Sequence, residues 1–166
     1  CYTPETSRRR EGVDHDGRAF RHQVRDLQER GAKNLNFITP THVFRFLGPW
    51  LQDLRDEIDL PVVLKITGYE STAQIEAMAE LAQHLVFDFK VGSSSAAIRS
   101  DLPSDYPEVA AQAIVRAQSH GIPTTVRHLL VPGEDDDSIA VLESLGRIRF
   151  RGPVNLMTRF ARPDGR

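Results

Sequence analysis

The sequence predicts an α/β fold, a parallel sheet covered by helices, and three observations predict it. Five short segments rich in Val, Ile, Leu and Phe have the length and composition of strands. Between them, apolar residues recur every three or four positions, the period of a helix with one buried face. The connections are too long for hairpins, so consecutive strands are joined by crossovers and run parallel. Periodicity does not separate an open doubly wound sheet from a partial barrel. In both, the C-terminal strand ends carry the ligand site.

The elements follow in order. Phe20, Val24 and Leu27 share a helix face, and Gly31 stands where a left-handed residue ends that helix. Residues 34–38 read as the first strand. Trp50, Leu51, Leu54 and Ile58 mark a second helix with Pro49 in its first turn, ahead of a strand over 61–66. Ser71 with Gln74 forms a capping-box pattern before Ile75, Met78 and Leu81, and the strand 84–89 follows. Asp105 and Glu108 resemble a capping pair for a helix closed by Gly121 and Pro123, which leads into a strand over 124–131. Asp135, Asp136 and Asp137 put negative charge at the start of the last helix, where its dipole favours it. The last strand spans 153–157.

With 166 residues the chain is expected to form one core domain, 1–166, of which 1–16 is polar and flexible. Basic and acidic side chains nearly balance, at net charge -2, so no nucleic-acid partner is expected. No apolar run approaches the ~18–20 residues that span a bilayer, so no membrane partner is expected either. A single cysteine and no charged-then-apolar leader point to a reducing, cytoplasmic compartment. The chain opens on Cys1 rather than methionine, which implies residues upstream.

Polar residues gather at the same end of every strand: Thr39-Pro-Thr-His42, Thr67-Gly-Tyr-Glu70, Asp88-Phe-Lys90, Arg127-His128 and Asn155 to Arg159. Each has a structural explanation too, since Thr-Pro and Thr-Gly form turns and Thr41 suits a helix N-cap. Asp88 and Lys90 are the most informative pair, because residues i and i+2 of a strand share a face and their neighbours are apolar. Either they form an ion pair inside a barrel or Lys90 is aimed at a ligand carboxylate. Arg127 either grips a carboxylate through its planar fork or faces outward. His42 and His128 lack partners at metal-ligand spacing and read as polar or packing histidines. No phosphate loop, nucleophile elbow or zinc signature is present, and no catalytic residue is assigned.

The blocks NLNFITPTHV, ITGYES, FDFKVG, SDYPEVAAQA, VRHLLVPGE and VNLMTRF, in this order and spacing, resemble the radical SAM superfamily, specifically its pyruvate formate-lyase activating enzyme-like proteins. The resemblance covers nearly the whole chain. It implies a partial (β/α) barrel lacking the first strand and the cluster loop. In that family a C-x-x-x-C-x-x-C loop holds a 4Fe-4S cluster, and Cys1, with Glu5 and Ser7 following, is similar to the third ligand of that loop. Tyr2 and Thr3 depart from the family's Gln-Asn. Residue by residue, the resemblance lays Thr39, Thr41 and His42 against the amino group of S-adenosylmethionine, Asp88 and Lys90 near its ribose or carboxylate, and Arg127 with the Leu129 backbone beside its carboxylate and adenine. Lys65 and Ile66 stand where the family usually carries Asn or Asp, which weakens any cation or substrate role there.

The implied chemistry is reductive cleavage of S-adenosylmethionine to a 5′-deoxyadenosyl radical, with a flavodoxin or ferredoxin as reductant and a glycyl radical protein as partner. Two other readings remain at this point: a degenerate, non-catalytic homologue without the cluster, and an unrelated β/α-barrel enzyme that binds an anionic small molecule through Lys90 and Arg127.

Overall fold

A computed structural model of the chain describes Arg9 and residues 12–158. Cys1, Glu5, Ser7 and Arg159 therefore lie outside the described residues. Helix α1 spans Gly17–Glu29 and β1 Leu35–Ile38; a 3-10 turn at Pro40–His42 leads into α2, Phe44–Leu54. Then come β2 at Val62–Ile66, α3 at Thr72–Leu81, β3 at His84–Asp88 and α4 at Ser94–Arg99. The rest is α5 at Tyr106–Ser119, β4 at Thr124–Leu129, α6 at Asp135–Arg147 and β5 at Val154–Met157.

The five strands pair in chain order, β1-β2-β3-β4-β5, and every pair is parallel. This order resolves what periodicity left open. Right-handed crossovers that always step the same way put every helix on one face of the sheet, whereas a doubly wound sheet must reverse direction. Each helix accordingly packs on its neighbour, α1 on α2, α2 on α3, α3 on α5, with α4 and α6 also against α5. The sheet is the open, curved wall of a partial barrel.

Strand alternation divides the two faces. Leu64, Ile66, Leu85, Phe87 and Val126 point to the helices and are fully buried with Ile75, Met78, Ile114 and Val141. The other face of β2, β3 and β4 carries Val63, Lys65, His84, Val86, Asp88, Thr125, Arg127 and Leu129, all half-buried. In register, Asp88 stands beside Arg127 and Arg127 beside Asn155.

Local signals explain most boundaries. Ser71 and Gln74 make the reciprocal capping box, and Gly31 and Gly121 take positive φ just after their helices. Four details differ from the sequence expectation. Helix α2 begins at Phe44, so Pro49 lies inside it rather than in its first turn. Asp105 makes no capping bond with its side chain; its carboxylate instead accepts from the Tyr69 hydroxyl at 2.9 Å. Thr41 is not an N-cap but belongs to the 3-10 turn. The short helix α4 had no sequence signal, because six residues are too few to show a period.

Candidate functional site

The C-terminal strand ends form one rim, and hydrogen bonds from two buried side chains stitch it together. Glu70, just past β2, is only 3% exposed. Its Oε1 accepts from the Thr41 hydroxyl at 2.8 Å, the Thr67 hydroxyl at 2.9 Å and the Thr67 amide at 3.1 Å. Its Oε2 is buried with no partner among the described residues. Tyr106, at the start of α5, is 1% exposed. Its hydroxyl shares its proton between the carbonyls of Thr67 at 2.8 Å and Asp88 at 2.6 Å and accepts from the Lys90 amide at 3.0 Å. Burial pushes the Tyr106 phenol well above the ordinary tyrosine range, and the negative charges of Asp88 and Glu70 add to the shift against the opposing Lys90 amide. The phenol therefore stays protonated and keeps the ends of β2 and β3 fixed.

The Thr39–His42 turn begins in a strained conformation. Thr39 has φ 52° and ψ 53°, the left-handed region that a β-branched residue rarely enters. Such strain costs about 1–3 kcal/mol and persists only where the surroundings over-determine it. Here the Thr39 amide donates to the Lys65 carbonyl at 2.7 Å, Pro40 is buried, and Thr41 is tied to Glu70. Thr39 and His42 are exposed at the rim, and Thr41 is half-buried.

Asp88 and Arg127 meet across the β3–β4 pair. Arg127 Nε donates to Asp88 Oδ1 at 2.7 Å and Nη2 lies 2.5 Å from the same oxygen, with both side chains about a quarter exposed. The sequence had placed Lys90 as the possible partner of Asp88. Arg127 takes that place because Lys90 lies beyond the last ladder position of β3. Lys90 is exposed and makes no ion pair among the described residues. Arg127 does not face the helices; it shares the open face with Asp88.

Lys90 and Leu129 both line a cavity of about 360 Å³ between the ends of β3 and β4 and the start of α6. Val91 and Val131 contribute apolar wall, and Arg99, Glu134 and Asp137 supply charge. Arg99 is paired with Glu134 at 2.7 Å. Asp137 accepts from the Gly92 amide at 3.0 Å and the Ser93 hydroxyl at 2.7 Å, which moors the loop after Lys90 to α6. Lys90 is thus the one cation of that cavity without an acidic partner among the described residues.

His128 faces the helices, opposite to Arg127, and is 2% exposed. Its Nδ1 lies 2.9 Å from the Phe89 carbonyl and its Nε2 2.9 Å from the Ser138 hydroxyl, so both nitrogens are satisfied and the residue is structural. Glu70 was named from the sequence only within the strand end Thr67-Gly-Tyr-Glu70, with no role of its own, and Tyr106 was not singled out. Both sit next to helix-start patterns, Ser71 and Asp105, and only the three-dimensional crossing of strand ends gives them their role.

Among the described residues no group of three His, Cys, Asp or Glu side chains is placed to hold a metal ion. The chain's one thiol is Cys1. A single thiolate is fewer than the three or four with which a chain normally holds a 4Fe-4S cluster. No described helix is long and apolar enough to cross a membrane.

No protein-family model matches this chain. No curated protein is significantly similar to it in sequence. Solved structures of Streptococcus suis SuiB do share its fold. SuiB bound to its precursor peptide SuiA matches with TM-score 0.67 at 10% identity, over 95% of this chain and 36% of that one. SuiB bound to S-adenosylmethionine matches with TM-score 0.62 at 10% identity, over 89% of this chain and 35% of that one. The chain thus spans about a third of the length of SuiB and shares its fold over that part.

Proposed function

We propose that this chain is the core domain of a radical SAM enzyme and holds S-adenosylmethionine across the C-terminal ends of β1, β3 and β4. The observation that carries the reading is the sequentially ordered parallel half-barrel, shared with a protein solved with S-adenosylmethionine bound. The six motif blocks of the sequence support it independently. S-adenosylmethionine supplies, on one-electron reduction, a hydrogen-abstracting radical; the chain's own residues bind, orient and shield.

The rim suits the ligand's charges. A zwitterionic amino acid moiety needs a cation for its carboxylate and hydrogen-bond acceptors for its ammonium, at separate points. Lys90, exposed and without an ion pair among the described residues, takes the carboxylate. Asp88, whose Oδ2 makes no hydrogen bond among the described residues, faces the ribose, and Arg127 holds Asp88 in place while its Nη1 remains free to donate. The amino group lies against the Thr39–His42 turn. The apolar wall of Leu129 and Val131 receives the adenine, with the Leu129 backbone beside it.

The motif blocks resemble those of the pyruvate formate-lyase activating enzyme-like group, and on that resemblance the target is a glycine Cα in a partner protein and the reductant a flavodoxin or ferredoxin. A second reading, a smaller peptide substrate, is favoured by the fold shared with peptide-bound SuiB. Either substrate is a polypeptide, and the open face with Asn36, Lys65 and Asn155 offers hydrogen-bonding partners to it. A degenerate homologue with no cluster is the reading favoured by Tyr2 and Thr3, which stand where the family carries Gln-Asn.

The deciding experiment uses the protein as it is encoded, reconstituted anaerobically with iron and sulfide, reduced, and incubated with S-adenosylmethionine. The proposal expects release of methionine with 5′-deoxyadenosine. A folded protein that leaves S-adenosylmethionine intact overturns the enzyme reading in favour of the degenerate homologue.

A further inference from the structure

Glu70 has no place in the ligand-binding assignment above, yet it is the most constrained charged group at the rim. A carboxylate that is 3% exposed, with no ion pair and one oxygen buried without a partner among the described residues, is costly to keep. Its other oxygen is saturated: three donors converge on Oε1, one from the turn after β1 and two from the end of β2. No other side-chain hydrogen bond of the described residues joins that turn to β2. The turn it reaches is the one whose first residue, Thr39, is held at positive φ, and a strained conformation needs something that holds it.

We propose that Glu70 is the positioning residue of the site: it locks the Thr39–His42 turn in register with the end of β2, so that the turn is preformed when ligand arrives. Oε1 acts as a three-way anchor rather than as a ligand contact. The carboxylate geometry is what matters, because the Thr41 hydroxyl, the Thr67 hydroxyl and the Thr67 amide must all point at one atom. An amide carbonyl oxygen in the same place accepts the same three bonds, whereas a methyl group accepts none. The consequence for S-adenosylmethionine rests on the proposed function; the locking itself does not.

The test separates the two. Hydrogen exchange in the ligand-free protein reads the turn through the amides of Thr39 and Val43, which donate to Lys65 and Pro40, and reads the sheet through those of Leu85 and Val126. Glu70→Ala is expected to speed exchange at Thr39 and Val43 about tenfold or more while Leu85 and Val126 stay within about twofold, and to weaken S-adenosylmethionine binding about tenfold, equivalent to about 1.4 kcal/mol. Glu70→Gln is expected to restore both. Should Glu70→Ala fail to fold, Thr41→Val cuts the same link from the turn's side and is expected to give the same localised exchange. Unchanged exchange at Thr39 and Val43, or an equal rise at Leu85 and Val126, overturns the proposal, since Glu70 then contributes only to general stability. Localised exchange in a protein whose wild type binds no S-adenosylmethionine upholds the locking and overturns the ligand reading.

Discussion

At the residue scale, the site depends on which charges are already paired. Lys90 and Arg127 were grouped from the sequence as two cations for one ligand, but of the two only Lys90 has no ion pair among the described residues. Lys90→Ala is therefore expected to weaken S-adenosylmethionine binding by about one to two decades, the equivalent of the roughly 1.5–3 kcal/mol of a hydrogen bond to a charged group, with no change in melting temperature. Arg127→Ala should weaken binding and also lower stability by about 1 kcal/mol, because it leaves the partly buried Asp88 carboxylate alone. Titration calorimetry with thermal melts of both variants checks the contrast. Tyr106→Phe removes a buried hydroxyl with three backbone partners and should cost about 1–3 kcal/mol near neutral pH. The phenol's folded-state pKa lies above its unfolded value of ~10. Its contribution is thus fully present below pH ~10 and declines as the unfolded chain ionises above it. The gap between wild type and Tyr106→Phe in denaturant melts should narrow above that pH and stay constant below it.

The elements are held to the site by their ends. Loop 89–93 after β3 is clamped between Tyr106 and Asp137, and Gly92 lets it lie directly on α6. A Cβ on Gly92 would stand 2.5 Å from the Val141 amide nitrogen and 2.7 Å from the Ala140 carbonyl carbon, helix backbone that cannot step aside. Gly92→Ala is expected to cost about 1–3 kcal/mol by overpacking and, by displacing Lys90, to weaken ligand binding; unfolding curves that match wild type would contradict this. The same stretch shows where sequence reading stops. The strands, the capping box at Ser71 and the helix ends at Gly31 and Gly121 were legible because each has a local cause. Pro49 misled because a proline usually opens a helix rather than sitting inside one. The Asp105 side chain was misread as a cap because its partner, Tyr69, is 36 residues away.

For the whole molecule, alternating strand and helix patterns specified a parallel sheet, and only the strand order decided for a half-barrel. The candidate rim was legible as a set of polar strand ends, since strand alternation fixes the face of Asp88 and Arg127. The pairing of those residues, and the anchoring roles of Glu70 and Tyr106, were not. They depend on which strand ends become neighbours, a property of register between segments ~20–40 residues apart rather than of any one segment. The central claim is that these strand ends bind S-adenosylmethionine. The most direct measurement is isothermal titration of S-adenosylmethionine into the protein as encoded, wild type beside Lys90→Ala. The account predicts one site per chain in the wild type and an affinity at least about tenfold lower in the variant. Absence of binding to a folded wild-type protein, or equal affinity in the two, would contradict it.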